Sequence, residues 1–227
     1  MTEKTDDIIS KARAQNRKTL SEYESATLLT CAGMPMVRGI VAGNLTDVKK
    51  AAQTIGYPVV LKACAAEISH KTENGLVVLN LISERDLEAA YQKIRASASF
   101  KNGEFLVQEM IKGSRELAVG MIRDAQFGPC VMFGLGGIFT EALGDAAFRP
   151  APITTIDARE MISEIRGQNI LAQLRGLPAV DIDALIQCLM VMNDLALDRE
   201  EILAIDVNPL IIRGNRPVGV DALVIMR

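Results

Sequence analysis

An α+β protein of two lobes is the fold class this sequence predicts, and three observations carry it. Hydrophobic residues make up 49% of the 227, enough for a sizeable core. Helical and strand-like patterns alternate up to about residue 103, and from Glu104 the texture turns to successive strands. The chain then closes with apolar runs joined by a turn at Gly214-Asn-Arg216, which reads as a hairpin completing a sheet. The expected organisation is an N-terminal helical extension (1–19), a small lobe (20–103) and a large lobe (104–227), with no solenoid-like repeat and no low-complexity linker.

Each element has its own signal. Residues 6–17 read as a short helix, and Thr19-Leu-Ser-Glu22 has the pattern of a capping box opening a helix that runs to about Ala32 and is ended by Gly33. A short strand is expected over 36–41 and a helix over 46–55, closed by Gly56. An apolar run over 58–61 leads into Lys62. A polar loop carrying His70, Lys71, Thr72, Glu73, Asn74 and Gly75 follows, and then a second apolar run over 76–82. Ser83 opens a helix to about Ala98, with Leu87, Ala90, Tyr91 and Ile94 at helical spacing. Strands follow over 105–111, 116–122 and 128–133, then the glycine cluster 134–137, an apolar stretch 138–143 and a loop 144–152. Helices over 157–165 and 181–196 flank a loop holding Arg166, Arg175 and Gly176; the last strands are read over 201–207, 210–213 and 218–225.

Composition excludes several classes. The net charge is -3 and the 25 basic residues form no block, so nothing marks a nucleic-acid footprint; aromatics at 4% without Trp offer no base-stacking surface. Cys31, Cys64, Cys130 and Cys188 are far apart with no CxxC pair, which predicts neither a zinc site nor disulfides and suits a reducing cytoplasm. The N-terminus lacks an apolar signal core, and no run of 18 apolar residues exists to cross a membrane.

The residues that carry chemistry are few. Lys62 at a strand end is a point charge suited to phosphate, and the neighbouring loop presents His70, the only histidine. Glu109 and Glu116 are seven residues apart across a glycine-containing turn, a spacing that can put both carboxylates at one hinge, one near a base and one near ribose hydroxyls. Asp206 and Asn208 are two apart on a strand and share a face, and Asp221 on the returning strand can come opposite them. Such hard oxygen ligands, few in number, suit Mg²⁺. Taken singly, each acid also reads as an exposed strand end. No GxxxxGK[ST] is present, and the 134–137 cluster lacks the GxGxxG spacing, so it reads alone as a tight turn requiring positive φ.

Several long motifs, in order, carry a resemblance. GYPVVLK with its HK loop, the segment from Leu106 to Ile153, RGLPAVDIDAL from Arg175 and AIDVNPLII from Ala204 together resemble the ATP-grasp subunit of ADP-forming acyl-CoA synthetases; the likeness covers about residues 17–227. Succinyl-CoA synthetase is a more distant relative. The resemblance implies an ATP-grasp fold whose two lobes clamp ATP or ADP. It implies that Lys62 holds phosphates, that Glu109 with Met110 and Ile111 meets the adenine, and that Glu116 meets the ribose. Gly136, Gly137, Glu141 and Arg149 would line the phosphate side, and Asp206, Asn208 and Asp221 would hold Mg²⁺. His70 matches the loop histidine that takes a phosphoryl group. Because the family's CoA-binding and acyl-phosphate domains lie elsewhere and this chain stops just after Asp221, an alpha subunit in a hetero-oligomer is implied. One departure is Gly75-Leu76, where the family commonly has two glycines. Two other classes stay open here: a regulatory ATP-grasp module without phosphoryl transfer, and a stand-alone carboxylate–amine ligase.

Overall fold

The computed structural model describes residues 3–64, 75–100, 103–137, 144–174 and 176–227. In chain order its elements are α1 (Glu3–Ala14), α2 (Glu22–Cys31), β1 (Gly39–Ala42), α3 (Leu45–Ile55), β2 (Val59–Cys64), β3 (Val77–Leu81), α4 (Glu84–Arg95) and β4 (Glu104–Glu109). There follow β5 (Glu116–Asp124), β6 (Gly128–Leu135), β7 (Ala146–Pro150), α5 (Thr155–Glu164), a 3-10 turn (Gln168–Leu171), α6 (Ile182–Asp198), β8 (Ile202–Arg213), β9 (Arg216–Gly219) and β10 (Leu223–Met226). His70 with the rest of its loop up to Asn74, the stretch 138–143 with Glu141, and Arg175 lie outside the described residues. Two compact units emerge: Ser21–Tyr23 with Val37–Ile111, and Met1–Leu20, Glu24–Met36 with Lys112–Arg227.

The smaller unit is an antiparallel sheet in the order β1-β4-β2-β3 under two helices. Asn44 caps α3 by accepting from the Asp47 N–H at 3.0 Å, and Ser83 caps α4 through the Asp86 N–H at 3.2 Å. Val48, Ala51 and Ala52 of α3, and Leu87, Ala90, Tyr91 and Ile94 of α4, form apolar stripes that cover Val59, Leu61 and Ala63 of β2 and Phe105 and Val107 of β4. Strand β4 lies between β1 and β2, so the division falls after Ile111 and not at residue 103. Strand β2 is buried along its whole length, and pleat alternation puts Lys62 on the face away from the helices.

The larger unit is a sheet in the order β10-β8-β5-β6-β7, with β9 also paired to β8. Helix α6 lays Leu185, Ile186, Cys188, Leu189, Met192, Leu195 and Ala196 into the core over β5 and β6. Helix α1 contributes Ile8, Ile9 and Ala12 to that same core, so this helix packs as part of the larger unit. Among the described residues no helix is long and apolar enough to cross a membrane, and all four cysteines are free thiols.

Three local readings change. Thr19 bridges Ile225, α2 begins only at Glu22, and the Glu22 carboxylate is engaged by Lys62. The true capping box is Thr154 with Asp157, which starts α5 two residues earlier than the apolar pattern indicates. Strand β7 occupies the expected loop 144–152; composed of Ala, Phe, Arg and Pro and paired only to β6, it carries almost none of the β-branched signal.

Arg115 ties the larger unit together from a position only 4% exposed. Its guanidinium donates to the carbonyls of Pro178 and Gly214, both at 2.8 Å, from two separate loops. Arg115→Ala strands both acceptors, and at ~1.5–3 kcal/mol for each hydrogen bond to a charged group the expected loss of unfolding free energy is about 3–6 kcal/mol, read from urea midpoints. A shift below about 0.5 kcal/mol shows that the guanidinium does not hold those loops.

Candidate functional site

Strand β8 positions the acidic cluster of the larger unit. On its β5 side the register runs Val207↔Val119 and then Leu210↔Leu117, so Asn208 and Pro209 share Ala118 as their only counterpart. This is a β-bulge, and it accommodates a proline that cannot donate to the ladder. On its other side β8 pairs first with β10 and then with β9. Gly219 stands opposite Leu210 and Leu223 opposite Asp206, so Asp221 falls level with Asn208, in the break between β9 and β10 and not on a continuous returning strand. The Val220 N–H reaches the Pro209 carbonyl at 3.1 Å and fixes that break in place.

Two glycines complete the cluster. After β6 the chain crosses the start of β5, where the Gly136 N–H donates to the Glu116 carbonyl at 2.8 Å and the Gly137 N–H donates to Asn208 Oδ1 at 2.9 Å. A Cβ on Gly136 would collide with the Leu117 carbonyl, and one on Gly137, where φ is +61°, would collide with the Glu116 carboxylate. Both positions therefore require glycine. Asp206 keeps an exposed surface, yet its carboxyl end is desolvated by surrounding protein; that burial first, and the Asp221 charge second, push its pKa up to about 6. Two carboxylates that repel one another beside an amide oxygen are suited to a divalent cation. Among the described residues no group of three or more His, Cys, Asp or Glu gathers to hold a metal alone. The donor set Asp206, Asn208 and Asp221 fits Mg²⁺, which commonly takes one or two protein carboxylates, waters and substrate phosphate oxygens.

In the smaller unit Lys62 is not a solvated strand end. Its ammonium donates to Glu22 Oε1 at 2.5 Å, and the two side chains are 8% and 1% exposed. Glu109, Met110 and Ile111 close that unit: the Glu109 N–H donates to the Arg38 carbonyl at 3.1 Å and the Met110 N–H to the Pro58 carbonyl at 3.2 Å. Glu109 and Glu116 thus belong to different units.

Glu116, Gly136, Gly137 and Asn208 lie together, and the Asp221 charge acts on Asp206. Arg149 has a different partner. It pairs with Glu164 of α5, which raises its pKa, and it stands opposite Val131, three positions along β6 from Gly134 and roughly 10 Å away by strand rise. Two structural carboxylates escaped the sequence reading. Glu22 was readable only as a cap. Asp145 accepts the Arg166 N–H at 2.8 Å and the Gly167 N–H at 2.7 Å; burial alone would raise its pKa, but these bonds hold it below the ordinary value. Its flanking Gly144 and Ala146 give no pattern that marks it.

Comparison with known proteins identifies the family. Residues 11–226 match the ATP-grasp domain family. The beta subunit of the ADP-forming acetate–CoA ligase I of Pyrococcus furiosus is 42% identical over 228 residues, covering 98% of each chain. The ADP-forming acetate–CoA ligase I of Archaeoglobus fulgidus is 39% identical over 213 residues, 92% of this chain but 31% of that longer one. Among solved structures, the dinucleotide forming acetyl-coenzyme A synthetase 1 of Ca. Korarchaeum cryptofilum superposes with a TM-score of 0.87 at 36% identity, over 98% of this chain and 100% of that one. It was solved with coenzyme A and Mg-AMPPCP, its phosphohistidine segment pointing towards the nucleotide binding site. This chain belongs to the ATP-grasp domain family, in the branch of the beta subunits of ADP-forming acetate–CoA ligases.

Proposed function

We propose that this chain is the nucleotide-handling subunit of an ADP-forming acyl-CoA synthetase, which interconverts acid, CoA and ATP with acyl-CoA, ADP and phosphate. The observation that carries this reading is the cluster of Asp206, Asn208 and Asp221 closed against Gly136 and Gly137. It suits a cation that arrives with a polyphosphate. The relatives named above support the same reading, one as a separate beta subunit and one as a chain about three times longer. The remaining chemistry then belongs to an alpha subunit, and the working enzyme is a hetero-oligomer. A cytoplasmic setting is part of the proposal, supported by four free thiols that a reducing compartment preserves.

In this reading the neutral imidazole of His70 attacks the γ-phosphoryl of ATP in line. The new P–N bond forms as the bond from the γ-phosphorus to the bridging oxygen breaks, and ADP departs with that electron pair. The buried ammonium of Lys62 offsets phosphate charge. Glu109 with Met110 and Ile111 meets the adenine and Glu116 the ribose. Asp206, Asn208 and Asp221 would hold Mg²⁺, which when bound neutralises charge on the β- and γ-phosphate oxygens. The phosphohistidine then delivers its group to the partner subunit.

Three outcomes test this. Incubated with Mg²⁺, γ-labelled ATP and its partner subunit, the wild-type chain acquires acid-labile, base-stable label and His70→Ala acquires none; equal labelling of both removes His70 from the mechanism. Gly137→Ala, which places a methyl group against Glu116 at a positive φ, is expected to weaken Mg-ADP binding at least ~10-fold by calorimetry, or ~1.4 kcal/mol. Unchanged affinity places the nucleotide away from Gly137. The third outcome is a pH dependence. Because the Asp206 pKa is raised above the unfolded value, the folded chain holds a proton between about pH 4 and 6 that the unfolded chain has released, so stability without metal falls as pH rises through that window. Cation binding must displace that proton, so Mg²⁺ affinity is expected to fall about 10-fold per pH unit below 6 and to flatten above it. Asp206→Asn should abolish the slope, and a slope that survives in that variant rules out Asp206 as the titrating ligand.

A further inference from the structure

Glu22 has no part in the chemistry above, yet it is the described partner of Lys62 on a strand buried on both faces. It comes from 40 residues earlier in the sequence, as the first residue of α2, where the helix N-terminus favours an anion. At 1% exposure its carboxylate has no path to solvent short of moving the helix. Lysine is a flexible four-carbon chain whose head takes many directions unless a fixed partner holds it, and burying that head without one is costly. Three N–H donors radiate from an ammonium, so holding one on a fixed carboxylate also sets the directions of the other two.

We propose that Glu22 is a positioning residue for Lys62: it anchors the ammonium inside the unit and aims it at a nucleotide phosphate. The inference rests on Lys62 being a phosphate contact. The burial of Glu22 separates this role from that of a plug which phosphate displaces, because a displaced carboxylate would have to remain in the same enclosed space without its cation.

The test uses the chain assembled with its partner subunit and Mg-ADP as probe, with dissociation constants from calorimetry and the phosphorus NMR resonances of the bound nucleotide. Glu22→Gln removes the charge. Glu22→Asp keeps the charge, and with it the fold, but shortens the reach by one methylene, so it reports even where Glu22→Gln fails to fold. Both variants are expected to weaken Mg-ADP binding roughly 10-fold or more and to move the same phosphate resonance that Lys62→Gln moves. In a Lys62→Gln background either should add less than about 2-fold, since coupled residues are not additive. The proposal is overturned if Glu22→Asp binds Mg-ADP like wild type, which leaves only charge compensation for folding, or if its effect persists undiminished beside Lys62→Gln. Tighter binding by Glu22→Gln overturns it in favour of competition between Glu22 and phosphate. If Lys62→Gln itself binds normally, the phosphate role of Lys62 fails first and this inference with it.

Discussion

A proline in the middle of β8 constrains everything around the acidic cluster. Pro209 has no N–H to give to the ladder, so β5 must skip a position opposite it, and the skipped pair is Asn208–Pro209. That bulge interrupts regular pairing where Asn208 meets the Gly137 N–H. On the opposite edge the pairing also changes, from β9 to β10, and Asp221 lies in that break. The bulge on one edge and the break on the other set Asn208 and Asp221 at one level of the sheet, two residues along β8 from Asp206. The glycines follow from the same packing, since a backbone that crosses β5 to reach Asn208 leaves no room for Cβ atoms.

The opposite treatment of charge in the two units has physical meaning. Around Lys62 the charge is balanced: the buried ammonium has a buried carboxylate at 2.5 Å, so neither ion is left alone in a low-dielectric setting. Around Asp206 a like charge stands close by: burial first, and the Asp221 carboxylate second, raise the cost of its ionisation. A folded chain that keeps such repulsion stores strain which a bound cation would relieve, and perturbed carboxylates of this kind mark functional sites more often than structural ones. The balanced pair is built to persist.

Most of the fold was legible because its signals are local. Helices α3, α4 and α6 were readable from apolar spacing, and strands β2 to β6 from their apolar runs, since these elements bury the faces their patterns mark. The failures are long-range. Nothing near Glu22 says that its partner stands 40 residues away, so its carboxylate reads as a cap. Nothing in residues 104–109 says that this strand inserts between two others 40 to 70 residues earlier, so it reads as the start of the next lobe. Strand β7 lacks β-branched residues because its only neighbour is β6 and most of its side chains face solvent. Of the site, Glu116, Gly136, Gly137, Asp206, Asn208 and Asp221 were legible as residues, but the reason Asp221 lies beside Asn208 was not. The hairpin reading placed it on a strand, whereas the break that holds it follows from pairing on both sides of a bulge.

The placement of Asp206 and Asn208 shows why residue type and spacing together carried so much. Two residues apart on a strand they share a face whatever the rest of the fold does, so the sequence alone brings two oxygen donors within reach of one ligand. Lys62 and Glu116 have no such local guarantee; each acquires its neighbours through contacts the spacing does not encode, Lys62 through Glu22 and Glu116 through Gly137. Function assigned from a motif is therefore firmest where local geometry forces the grouping. Where the grouping depends on a distant partner, as Lys62 depends on Glu22, spacing in the sequence carries no sign of it.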